Sequence, residues 1–133
     1  MSKKKQQNPK FSPTISAFLN MIDQVQSDYA WNSEEITRLD KLTQDYLHIL
    51  ELDSPDYKER AKIATQLQKC RQDRRTSKDT IEILEPLVSY LDTDNGKKAI
   101  NLMKEVLGRT RKAETKMEHR VYRFRVLDRD NIV

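Results

Sequence analysis

Gly96 and Gly108 are the only glycines in 133 residues, where average usage would supply about nine. With four prolines beside them, the chain has few places to turn. A β-sandwich or barrel needs a turn every ~8–12 residues, and a phosphate-binding loop needs glycines this chain lacks, so both classes are excluded. What is left is a set of long helices with few connections.

Charged residues make up 35% of the chain and hydrophobic ones 36%. One domain of this length with more charge than the usual ~25% predicts thin, elongated packing in place of a deep core. No run of ~18 apolar residues is present, so no membrane-spanning helix is expected. The opening Met1-Ser2-Lys3-Lys4-Lys5 lacks the apolar stretch of a signal peptide, and a lone Cys70 forms no intrachain disulfide. These features predict a soluble, cytoplasmic, mostly helical protein.

Residues 1–11, with Lys3, Lys4, Lys5 and Lys10, bury too little apolar area to offset their ordering entropy and read as a flexible basic arm. Residues 12–133 read as a single helical domain. Ser12-Pro13 is a helix start, followed by Ile15, Phe18, Ile22, Val25 and Tyr29 on one face. A second start is expected at Asn32, with Glu35 reaching back and Trp31 stapled to Ile36. The two helices would fold as an antiparallel hairpin over residues 12–53.

Ser54-Pro55 repeats the start signal, and Ile63, Leu67, Cys70, Arg74, Ser77, Ile81, Leu84, Val88 and Leu91 then follow spacings of 3 and 4. Pro86 predicts a kink or break near residues 82–86. After the turn at Asp92–Gly96, a further seam carries Ile100, Met103, Leu107, Thr110, Glu114, Met117 and Val121. Folded back as a hairpin over residues 54–119, the two seams would pair Leu84 with Met103, Ser77 with Thr110 and Arg74 with Glu114. A buried ion pair there would act as a register device.

The all-α class thus comprises two antiparallel helical hairpins, the second long and coiled-coil-like, with an extended C-terminal tail over residues 120–133. In that tail Tyr122, Phe124 and Val126 alternate with Arg123 and Arg125. It would lie along the helices or pair with a second copy or another protein.

Charge is unevenly distributed. Residues 12–57 hold two basic and nine acidic side chains, whereas 58–133 hold nineteen and twelve. Arg109, Lys112, Lys116, Arg120 and Arg123 recur at helical spacing as a ridge, with Arg111 alongside and Arg125 beyond. In the expected register Lys78 would oppose Arg111 beside Arg75. Like charges so placed point to an anion from outside, a nucleic-acid phosphate or a partner carboxylate, unless the side chains splay into solvent.

Catalytic chemistry is not in view. Asp45 and His48, one helical turn apart with Asp40 and Glu51 near, lack a converging second helix for a metal site. Cys70 falls in the seam as an inert thiol, and His119 has no second ligand. The expectation is a non-enzyme with no cofactor, no metal and no small-molecule substrate.

Leu107 to Glu114, Arg120 to Leu127 and Asp45 to His48, as they stand in this sequence, resemble parts of small helical proteins encoded by phages and mobile elements of low-GC Gram-positive bacteria. The resemblance is to a kind of protein and carries no named family or activity. It implies a phage accessory protein, one that serves nucleic-acid transactions or antagonises a host system.

Two functions are therefore expected. The first is nucleic-acid binding, DNA or RNA, through Arg75, Lys78, Arg109, Arg111, Lys112, Lys116, Arg120, Arg123 and Arg125. The alternative is a protein–protein interaction module that inhibits or recruits a host protein through the acidic lobe of residues 12–57, as against the basic lobe that follows it, or through the Tyr122–Leu127 segment. Homo-oligomerisation by attraction between the two lobes is a third reading.

Overall fold

The computed structural model describes residues 8–128. The expectations for residues 1–7 of the basic arm and for the last five residues of the tail lie outside this range. The described residues are all-α, with three helices and no strand: α1 (Ser12–Leu52), α2 (Tyr57–Leu91) and α3 (Asp94–Glu118). None is long and apolar enough to cross a membrane.

The second helix start expected at Asn32 does not occur, because α1 runs unbroken for 41 residues, about 60 Å. Asn32 is buried and its Nδ2 donates to the Asp28 carbonyl at 2.8 Å. Ser33 Oγ does the same to Tyr29 at 2.9 Å. Side chains that would cap a new helix are spent on the preceding turn of the existing one, and no Gly or Pro lies between Pro13 and Pro55 to break it. Glu35 pairs with Arg38 and does not reach back, and Trp31 is 61% exposed and does not act as a staple.

Helix starts are displaced by a residue or two. Phe11 occupies the N-cap of α1 without a capping side chain, while Pro13 sits in the first turn where its missing N–H costs nothing. At the α1–α2 turn Ser54 adopts φ 45°, and Asp56 caps α2 by accepting the Glu59 N–H at 2.8 Å. Thr93 caps α3 through the Gly96 N–H at 3.0 Å. Pro86 lies inside a continuous α2; it is exposed, so the carbonyl it leaves unpaired faces water.

The α2 seam exists, but its partner is α1. Ile63, Cys70, Ser77 and Leu91 are buried, with Leu67, Arg74, Ile81, Leu84 and Val88 half-buried between them. Tyr29 Oη donates to Glu85 Oε2 at 2.5 Å and Arg74 Nε donates to Asp40 Oδ1 at 2.6 Å, which fixes an antiparallel α1–α2 register. Leu39 of α1, 1% exposed, is the most buried large side chain of this pair.

α3 makes the second antiparallel pairing, also with α1. Lys97, Ile100 and Lys104 lie beside Ile22, Asp23 and Gln26, and farther along Glu114 meets Phe11 and Ser12. The expected pairing of Arg74 with Glu114 is therefore absent, and the two residues serve different ends of α1. Gly96 allows the sharp turn that redirects the chain: a Cβ there would overlap the Tyr90 carbonyl and stand 3.0 Å from Leu91 Cα. Residues 12–53 are thus one acidic helix and a turn, and both antiparallel pairs are built on it.

Candidate nucleic-acid interface

The second half of α3 turns one face to α1 and the other to solvent. Gly96, Ile100, Met103, Leu107, Thr110 and Glu114 form the packed stripe. Arg109, Lys112 and Lys116, at spacings of 3 and 4, lie on the opposite side and are exposed. The same outward row extends back through Glu105 to Lys98, which was not in the expected site. Arg111 occupies the adjoining flank, in line with Lys104 and Lys97, each seven residues apart.

The helix ends at Glu118, so Arg120 and Arg123 do not extend the ridge. They lie with Arg125 in residues 120–128, which have neither helix nor strand and are exposed throughout. Arg120 donates to Met117 Sδ. The rings of Tyr122 and Phe124 pack edge to face at 5.8 Å, as side chains two residues apart do when they share one side of an extended segment.

Three carboxylates sit among these cations: Glu105, on the outward row and in no ion pair among the described residues, and Glu114 and Glu118, which are engaged elsewhere. Glu114 Oε2 accepts the Phe11 N–H at 2.8 Å and the Ser12 N–H at 3.1 Å. Hydrogen bonds from Ser12, side chain and backbone, and then from Phe11 hold its carboxyl below the usual range. Glu118 pairs with Lys10 at 2.6 Å; that hydrogen bond and the attached charge lower Glu118 and raise Lys10. Among the described residues, Arg109, Arg111, Lys112, Lys116, Arg120, Arg123 and Arg125 form no ion pair.

Beside them Pro9, Phe11, Thr110, Ala113, Met117 and Arg120 line a groove of about 640 Å³. Phe11 was not in the expected site; its neighbours come from opposite ends of the chain, and no local pattern marks it.

Arg75 and Lys78 are exposed, but they belong to a different place. Their neighbour Arg74 is bonded to Asp40, whereas Glu114 is bonded to Ser12, 28 residues earlier on α1 and so about 42 Å away along the axis. The nine basic residues therefore divide into a pair at mid-rod and a group of seven at one end. The expected opposition of Lys78 and Arg111 does not exist.

Cys70 is buried and unpaired. Among the described residues no group of three or more His, Cys, Asp or Glu side chains is arranged to hold a metal ion. Asp45 and His48 are both exposed on α1. Comparison with protein-family models, characterised proteins and solved structures finds no match.

Proposed function

We propose that this chain is a non-enzymatic accessory protein that binds nucleic acid through its basic end. The observation that carries the reading is the group Arg109, Arg111, Lys112, Lys116, Arg120, Arg123 and Arg125, exposed and without ion pairs among the described residues, while the neighbouring Glu114 and Glu118 are tied to the segment before α1. Phosphate contacts from such a surface supply affinity with little sequence preference. Tyr122 and Phe124 between the tail arginines offer faces on which unpaired bases stack, which favours single strands.

The test is binding of purified protein to labelled duplex DNA, single-stranded DNA and RNA at low and near-physiological salt, with R111E/K112E beside it. Binding should persist near physiological salt and weaken steeply as salt rises. The variant should bind more weakly, with the salt slope reduced by about 0.9 for each phosphate it no longer neutralises. Absence of binding at low salt, or a variant that binds like the parent, overturns the reading.

A further inference from the structure

The middle of the rod carries an apolar patch on the flank that faces away from α3. The Tyr29–Glu85 hydrogen bond places Trp31 and Ile83 at one level, because each lies two residues beyond that bond along its own antiparallel helix. Two residues are about 200° of helical rotation, so both side chains emerge on the flank opposite the bond. Ile22, which lies against α3, is two helical turns before Tyr29 and shares its side, so Trp31 and Ile83 look the other way. They are 61% and 76% exposed, and Tyr90, seven residues after Ile83 on the same flank, is exposed as well.

The surroundings of this patch are acidic. α1 has no Lys or Arg before Arg38, and α2 has none after Lys78. Arg38 is committed to Glu35. Glu34 and Asp79, each about one helical turn from Trp31 or Ile83, form no ion pair among the described residues.

The tail has the complementary character. Val121, Tyr122 and Phe124 are exposed apolar groups alternating with Arg123 and Arg125. Through Phe124 it does not reach the patch of its own chain. Glu118 is held to Lys10 at the start of α1, and Trp31 lies 19 residues beyond Ser12, about 28 Å along the helix. Phe124, six residues after Glu118, extends at most about 21 Å.

We infer that two copies of this chain associate reciprocally, the Arg120–Leu127 tail of each lying on the Trp31–Ile83 face of the other. An isologous two-fold dimer follows, since each copy offers both halves of the interface. Its axis would pass midway between the tail and Trp31, near Phe18 and Met21 of α1, which are exposed where α2 no longer covers that helix. The outward row of α3 stays free, whereas Arg120, Tyr122, Arg123, Phe124 and Arg125 enter the interface, so nucleic acid that engages the tail would compete with the association; the inference does not itself rest on nucleic-acid binding.

Trp31 is the sole tryptophan, so its emission reports the association directly. The full chain, without nucleic acid, is followed over a concentration series at low salt by sedimentation and Trp31 fluorescence. A dimer mass with blue-shifted emission is expected, both reversed by salt. R123E/R125E and E34K/D79K should each weaken dimerisation by at least about tenfold with helical circular dichroism unchanged. Mixed in equal amounts, the two variants should regain the dimer and the blue shift, because both halves of the mixed dimer again join opposite charges. A monomer with exposed-type emission at every concentration overturns the inference. So does a dimer indifferent to both variants, or a mixture that stays monomeric.

Discussion

Glu114, in the last turns of α3, accepts the backbone N–H of Phe11 at 2.8 Å across 103 residues of chain. A helix start leaves several N–H groups unpaired, and Phe11 has no side chain able to satisfy them. The carboxylate that caps α1 comes from near the far end of the chain and draws α3 onto the first turns of α1.

E114Q tests that cap. The folded carboxyl lies below its ordinary range, so its contribution is present above the unfolded pKa and is lost as pH falls through the lower folded value. Hydrogen exchange at Phe11 and Ser12 should be faster in E114Q at neutral pH. In the parent the protection of these two amides, taken relative to the intrinsic rate at each pH, should fall to the E114Q level only on acidification.

The partners of Arg74 are decided by a double-mutant cycle. R74L with D40L should show a coupling of about 0.2–1 kcal/mol, the range for a partly exposed ion pair. R74L with E114L should be additive within about 0.5 kcal/mol, because the two residues stand far apart. Urea denaturation of each single and double variant measures both.

The two glycines should respond in opposite ways. G96A forces a methyl group onto the Tyr90 carbonyl, and overlap with backbone costs about 1–3 kcal/mol. G108A meets nothing within 4 Å in mid-helix and should stabilise by about 0.5–1 kcal/mol. Thermal denaturation should show Tm falling in the first and rising in the second.

Tyr29 and Glu85 link stability to pH at both ends. Their hydrogen bond is the main cause that lowers the Glu85 carboxyl and raises the Tyr29 phenol. The Glu85 contribution is present above its unfolded pKa and lost as pH falls through the folded one. That of Tyr29 is present below its unfolded pKa and lost as pH rises through the folded one. Y29F should therefore flatten the stability profile in acid and in alkali, as read by denaturant midpoints across pH.

The separation of the basic residues predicts unequal effects on nucleic-acid binding. R109E/K112E/K116E should remove most of the affinity, whereas R75E/K78E, roughly 30–40 Å away along the rod, should leave a short oligonucleotide bound nearly as before. Titrations with a single-stranded oligonucleotide too short to span both groups make the comparison.

The helical class, the α2 seam, the α3 seam as far as Glu114 and the row Arg109, Lys112 and Lys116 were legible in the sequence, whereas the continuation to Val121 and Arg123 was not, because the helix ends at Glu118. Spacings of 3 and 4 and a near absence of glycine are local properties, and they act wherever the helices end up. The seam from Ile63 to Leu91 was legible for the same reason. Which surface it meets was not, because periodicity marks a buried face without naming its partner. Two matching seams made the α2–α3 register attractive, yet α1, unbroken through Asn32, offers the longer apolar face. The direction of α3 then depends on Gly96 crossing the end of α2 and on Glu114 meeting two amides at the other end of the chain. Both are long-range steric and hydrogen-bonding facts, and they decide that Arg75 and Lys78 are parted from Arg109, Lys112 and Lys116, and that Trp31 is left in solvent.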